Sequence, residues 1–557
     1  MRKVAVVALL AVVLAFAVGW TTYTVKVSSV EINALAVSDL GGAVLPIKVT
    51  LLTPGDGRAY VAGVPEAGQG FGPSAQIALY VAARLSGVPY NNYTALLRVL
   101  ASDAQVGGPS ASGYITAAMY ALMNGLELRN DTAMTGIILP DGLIGPVGGV
   151  SQKVQAAAAQ GIKTVLVPIG EAPSGVGGIK VVEIGTIEDA VYYLTGRKIA
   201  RPAPASVDDA AFVQVSRDLF NAVYGYYNQT VRGGNVDLAT IESLKARGMY
   251  YTAASLIFQG LVTYYDNAAS SSRRTYRDLY NQALQMAKDA EAQLSTIPLT
   301  INNIDLVVAS YTRIYEVYLT ANSTAPRPGA MYARAITLKS WVDEAKKMAY
   351  GPAINESGLA EVARMYLDYA KAMYAYLETT YGMTLSDIST AVQVAEDLYG
   401  KGLYLASMAN SIEIIAETAA ALMTGASSKY IDIARGKAME NMAAAAQCGY
   451  TNTLPLAYLQ FGDYFREQGN PQNSLMYYIM SSIYATAMRD VACTLKTATV
   501  YKPIFSANTT SATNISETQT EAGSGLAPVK KTGENNLLIP LAVALLAALA
   551  LVYASRR

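Results

Sequence analysis

The chain changes character at Arg201-Pro202-Ala203-Pro204-Ala205. Two prolines in five residues fit neither a continuous helix nor a central strand, so residues 199–206 read as a linker. Before it, apolar and polar residues alternate, as in Thr24-Val25-Lys26-Val27 and Ile47-Lys48-Val49, which is the period of half-buried strands. After it glycine thins out. Ala, Tyr and Met recur three and four residues apart, as in Met365, Tyr366, Tyr369, Met373, Tyr376 and Leu377, the period of helices. The 557 residues are therefore expected to form an α+β domain over 22–198 and an all-helical domain over 207–503.

Within the first domain the spacing predicts antiparallel strands from 22 to 63, with Gly55-Asp56-Gly57 marking a turn. It predicts a strand and loop over 93–101, helices over 73–86, 114–124 and 151–161, strands over 162–168 and 180–184, and a closing helix over 187–194. In the second domain, 456–468 and 472–488 read as a helix pair around Gly469-Asn470-Pro471 that resembles a tetratricopeptide-type hairpin. Residues 249–266 have a similar texture. No strict repeat appears, so a regular solenoid is one option among several. The 39 tyrosines invite an aromatic peptide groove, but at helical spacing they read first as half-buried packing with the hydroxyl toward water.

There is no histidine in the sequence. This removes every Ser-His and Cys-His mechanism and the usual His-ligated zinc peptidases. A serine nucleophile then needs a lysine held neutral or a carboxylate with a raised pKa as its base. Gly107-Gly108-Pro109-Ser110-Ala111-Ser112-Gly113 sits just before the 114–124 helix. The free N–H groups and dipole of a helix N-terminus favour developing negative charge there. Gly148-Gly149-Val150-Ser151-Gln152-Lys153 follows downstream, and Lys153 lies between glycines and an alanine run. Asp141 is the nearest acid in sequence, twelve positions back. Ser110 is the candidate nucleophile and Lys153 its candidate base. Gly72-Pro73-Ser74-Ala75 repeats the same letters, so the tetrapeptide alone is not diagnostic.

The wider order of motifs is more specific. Residues 30–54, Gly107 to Gly113, Ala133-Met134-Thr135-Gly136, Ile144-Gly145-Pro146-Val147-Gly148-Gly149 with Lys153, and Gly161-Ile162-Lys163-Thr164-Val165-Leu166-Val167-Pro168 occur in one sequence order. Over about residues 30–196 the chain resembles the proteolytic domain of Lon-type Ser-Lys peptidases. The resemblance implies Ser110 as nucleophile, Lys153 as general base and Thr135 as the hydroxyl orienting the amine. It implies backbone N–H groups around Gly108 and Ser110 as oxyanion donors. A threonine hydroxyl fixes an amine without adding charge, whereas an acid would favour the ammonium. Three positions depart from the family pattern: Gly107 replaces an acid, Ser112 a glycine and Ile137 a glutamate. Lon-type domains form rings, so the resemblance also implies a homo-oligomer.

Arg2 and Lys3 precede an uncharged apolar run over 4–19, a signal-peptide pattern over 1–20, with an uncleaved anchor as the alternative. Residues 504–535 are rich in Ser, Thr, Asn and Gly and read as a stalk. Residues 537–554 read as a transmembrane helix, with Arg556 and Arg557 keeping its end cytoplasmic and the body extracytoplasmic. Asn-x-Ser/Thr sequons at Asn92, Asn130, Asn228, Asn322, Asn355, Asn508 and Asn514 suit an exported glycoprotein. The combination resembles an archaeal membrane-anchored form. Cys448 and Cys493 are either one disulfide or two buried thiols. Lys+Arg and Asp+Glu both number 42, which gives no support for nucleic-acid binding. No Gly-x4-Gly-Lys-Ser/Thr loop occurs, so no ATPase module and no ATP are expected; the expectation names no other cofactor and no metal. The expectation is an ATP-independent, membrane-anchored serine endopeptidase acting on unfolded or exposed polypeptide. The alternative is an inactive Lon-like scaffold serving in surface binding or assembly.

Overall fold

A computed structural model describes residues 24–38, 41–63, 70–100, 108–200, 209–231 and 235–497. The segments expected as signal, stalk and membrane span lie outside these residues, as do Gly107, Asn508 and Asn514. No helix among the described residues is long and apolar enough to cross a membrane. The chain divides into two compact units, Met1–Ile199 and Ala200–Arg557. The first is mixed α/β and the second all-helical.

The first unit is built on a seven-stranded sheet. β1 (Lys26–Ser38) and β2 (Gly41–Thr53) form a long antiparallel pair. β3 (Ala59–Ala62) leads through α1 (Phe71–Leu85) to β4 (Thr94–Val99). β5 (Thr132–Met134), β6 (Ile137–Ile138), β7 (Ile144–Gly145), β8 (Thr164–Pro168) and β9 (Lys180–Ile184) follow. The order in the sheet is β3-β4-β2-β1-β5-β8-β9, with β6 and β7 forming a separate two-stranded hairpin. α2 (Ser112–Asn124), α3 (Val150–Ala159) and α4 (Ile187–Thr195) complete the unit.

The alternation seen in the sequence is one face of this sheet. Ile47, Val49 and Leu51 of β2 are buried and stand opposite Val99, Leu97 and Ala95 of β4. Each pair contributes about 0.2–1 kcal/mol beyond two alanines. One expectation is corrected. β3 was to be part of an antiparallel set, but it pairs parallel to β4. The intervening helix α1 supplies the long crossover that a parallel pair requires. α2 packs on α1, on α4 and on β1 and β2, while α3 packs on β1 and β2. α4 starts with a reciprocal capping box between Thr186 and Asp189.

The second unit runs α5 (Ala210–Thr230), α6 (Leu238–Ala246), α7 (Tyr250–Ser271), α8 (Arg273–Leu294), α9 (Ile304–Asn322) and α10 (Pro328–Lys347). It continues α11 (Ala360–Tyr381), α12 (Ser386–Gly400), α13 (Tyr404–Leu422), α14 (Ser428–Gln447), α15 (Thr453–Glu467) and α16 (Pro471–Thr497). Helices pack on their neighbours and their next-but-one neighbours, as in α8–α10, α11–α13 and α14–α16. The α15–α16 junction is set locally. Pro471 opens α16 where a missing N–H costs nothing, and the Asn470 side chain accepts from Asn473 N at 3.0 Å. α16 runs nine residues beyond the expected stop at 488.

Cys448 and Cys493 form a disulfide that ties the end of α14 to α16. Several tyrosines go deeper than expected. Tyr366, Tyr369, Tyr477, Tyr478 and Tyr484 are fully buried and serve as core residues rather than half-wet packing.

Candidate active site

Gly108 is extended (φ −117°, ψ 171°) and Pro109 starts a single 3-10 turn, Pro109–Ala111, that runs straight into α2. Pro109 suits the first helical position because its fixed φ is preorganised there. Pro109 and Ala111 are buried, while Ser110 is partly exposed. Ser110 therefore lies in the first turn of a helical run, where backbone N–H groups have no intrahelical acceptor. The look-alike Ser74 behaves differently. It is wholly buried in α1, and its hydroxyl donates to the Phe71 carbonyl at 2.9 Å.

The turn is fastened to the segment just after β5. Gly136 N donates to the Ser110 carbonyl at 2.9 Å, and Gly113 N donates to the Gly136 carbonyl at 3.0 Å. A Cβ on Gly113 would lie 2.6 Å from Met134 Cε and 2.9 Å from Gly136 O, so only glycine permits this approach. Two of the three departures from the family pattern have structural work here. The Ser112 hydroxyl accepts from Ile138 N at 3.0 Å, pinning α2 to β6. Ile137 is fully buried and pairs with Gly145.

Lys153 lies in the first turns of α3, which begins after Gly149 in a left-handed conformation (φ 68°). The Lys153 side chain is 2% exposed. Its Nζ donates to Thr135 Oγ1 at 3.2 Å, and Thr135 Oγ1 donates to the Ser110 carbonyl at 3.3 Å. Thr135 is held by its own N–H on the Leu166 carbonyl of β8. The structure thus brings Ser110, Thr135 and Lys153 into one hydrogen-bonded chain. Among the described residues no hydrogen bond joins the Ser110 hydroxyl to Lys153 Nζ. In unliganded hydrolases this contact often forms only with substrate.

Burial pulls the Lys153 amine down from its ordinary 10.5 to about 8, against the opposing pull of a nearby negative charge, Glu171. That carboxylate was missed in the sequence because it lies eighteen residues past Lys153. It follows β8, and its two oxygens accept from Val147 N at 3.2 Å each. Burial pushes Glu171 up to about 7, with the Val147 N–H and Lys153 acting against that rise. Its place gives a signal in hindsight. Thr135 and Glu171 both follow the carboxyl ends of the parallel strands β5 and β8, where α/β sheets gather their ligand-binding groups. Asp141, the acid nearest in sequence, has its Oδ1 bonded to Leu143 N at 3.0 Å in the β6–β7 turn.

The arrangement has the parts of an acyl-transfer site: a serine at a helix N-terminus and a dry amine poised by a hydroxyl. Residues 16–174 match the family described as the Lon protease (S16) C-terminal proteolytic domain. The chain is 39% identical over 142 residues to Lon protease of Phenylobacterium zucineum (strain HLK1), covering 24% of this chain and 18% of that protein. It is 34% identical over 143 residues to Lon protease 1 of Myxococcus xanthus, covering 25% and 17%. It is also 34% identical over 143 residues to the mitochondrial Lon protease homolog of Oryza sativa subsp. japonica, covering 25% and 14%. The chain spans less than a fifth of the length of these relatives. The first unit of this chain is similar to the C-terminal proteolytic domain of Lon proteases.

Proposed function

We propose that the chain is a serine endopeptidase working through a Ser110–Lys153 dyad on unfolded or exposed polypeptide. The observation that carries this reading is the buried Lys153 amine, hydrogen-bonded through Thr135 to the backbone of Ser110. Neutral Lys153 takes the proton as Ser110 Oγ attacks a peptide carbonyl. N–H groups of the first helical turn, around Gly108 and Ser110, hold the oxyanion. The resulting ammonium passes the proton to the leaving amine. Water then attacks the acyl-enzyme, with Lys153 again taking a proton.

The finer reading is that the enzyme works without ATP, tethered to a membrane and facing outward. The sequence lacks a phosphate-loop motif, and its apolar runs at 4–19 and 537–554 flank the folded units. A disulfide between Cys448 and Cys493 suits an oxidising compartment. The test is hydrolysis of denatured casein by purified full-length chain, without ATP, beside its Ser110→Ala variant. Cleavage by the first and none by the second is expected. Equal cleavage by both removes the dyad. No cleavage by either favours the scaffold reading.

A further inference from the structure

Five Asn-x-Ser/Thr sequons fall among the described residues, at Asn92, Asn130, Asn228, Asn322 and Asn355. Modification needs the asparagine amide at the surface and the hydroxyl two residues on within reach of the same enzyme. In three of the five the fold has already committed that hydroxyl or turned it away. Thr94, the partner of Asn92, lies in β4; its Oγ1 donates to Asp56 Oδ1 at 2.7 Å and accepts from Asp56 N at 3.0 Å. Thr132, the partner of Asn130, lies in β5, is 4% exposed and donates to Asp131 Oδ1 at 3.2 Å. Asn228 and Thr230 both belong to α5. Two residues apart in a helix means about 200° around its axis, so the pair cannot face one enzyme.

The connection between α10 and α11 is different. It is pinned to the segment before α9, where Ile301 N donates to the Pro352 carbonyl at 3.1 Å and Ile354 N to the Leu299 carbonyl at 2.9 Å. Glu356, the middle residue of the sequon, is half-buried and accepts from Leu405 N at the start of α13 at 2.9 Å. Asn355 and Ser357, on either side of it, are exposed. They are joined to each other: Asn355 Oδ1 accepts from Ser357 N at 3.2 Å and from Ser357 Oγ at 2.6 Å. A backbone N–H only donates, so Oδ1 is the atom it meets and Nδ2 is the atom left over. Among the described residues Asn355 Nδ2 donates to nothing. Asn322 and Thr324 are exposed too, but among the described residues no hydrogen bond joins them.

We infer that Asn355 carries an N-linked oligosaccharide. In the transfer Nδ2 attacks the anomeric carbon of an oligosaccharide linked to a lipid phosphate. The new bond from Nδ2 to that carbon replaces its bond to the phosphate oxygen. The lipid phosphate leaves with the electron pair, and Nδ2 gives up one proton to a base of the transferase. The two donors from Ser357 stabilise the negative charge that gathers on Oδ1 as that proton leaves. The pinned residues on each side hold the pair in this geometry, and no strand or helix has to open. The assignment rests on the outward-facing reading of the chain, not on its peptidase chemistry.

The test is glycopeptide mass mapping of the full chain purified from its source cells. Protease accessibility on intact cells reports export separately. Chains carrying Asn355→Gln, Ser357→Ala and Ser357→Thr are mapped beside the parent. The expected result is a sugar adduct on Asn355, at higher occupancy than on any of the other four asparagines. It should vanish in Asn355→Gln and Ser357→Ala and persist in Ser357→Thr. A bare Asn355 on a chain that reaches the exterior overturns the assignment alone. A bare Asn355 on a chain that stays inside overturns it together with the outward-facing reading. Equal occupancy at Asn92, Asn130 or Asn228 overturns it as well, as does an unchanged adduct in Ser357→Ala. If a variant misfolds, the occupancies of the five sites on the parent chain decide.

Discussion

The dyad makes a quantitative demand on pH. The Lys153 amine titrates near 8 instead of 10.5 because burial disfavours its charge. At pH 7 such an amine is neutral in about one molecule in eleven, against roughly one in three thousand at the ordinary value, a gain of about 300-fold. Activity should therefore rise nearly tenfold per unit at low pH and level off above about pH 8. Glu171 complicates the limb. It titrates near 7, and once ionised it favours the ammonium. Glu171→Gln keeps an oxygen to accept from Val147 N but removes that charge. The acid limb should then move to lower pH, by no more than about one unit since the two groups form no direct ion pair. The assay is kcat/KM on a quenched fluorescent peptide from about pH 6 to about pH 9.5, for both proteins. A flat profile, or a limb that moves upward in Glu171→Gln, would refute the reasoning.

Three further outcomes are expected. Thr135→Val removes the acceptor for Lys153 Nζ and the donor to the Ser110 carbonyl; kcat should fall by about 10²-fold with KM little changed, while Thr135→Ser keeps most activity. Gly113→Ala forces Met134 and the Gly136 carbonyl apart from the Ser110 turn; thermal or urea denaturation should show a loss of about 1–3 kcal/mol, with kcat reduced as well. The disulfide closes a loop of 45 residues in sequence; reducing it should cost the helical unit up to about 4 kcal/mol in urea unfolding, and alkylation before reduction should label no thiol.

How much of this could be read without coordinates depends on distance along the chain. The turn at Gly108-Pro109-Ser110 and the start of α3 after Gly149 are local, and proline and glycine announce them. The alternation in β2 and β4 announces a buried face. What pairs with what is not local. Parallel pairing of β3 with β4 depends on α1 crossing between them, and alternation is the same in either sense. Glu171 reaches Val147 only because β8 carries the chain back beside β5. The disulfide had a bland competitor until α14 and α16 packed together.

The central claim is that a dry, uncharged lysine activates Ser110. The most direct measurement is mass-spectrometric mapping of acylation by a peptidyl β-lactone, timed across pH in the parent protein and in Lys153→Ala. The account predicts a single acyl adduct on Ser110, formed faster as pH rises through about 8 and nearly abolished in Lys153→Ala. An adduct on another residue, or an equal rate of Ser110 acylation without Lys153, would contradict it.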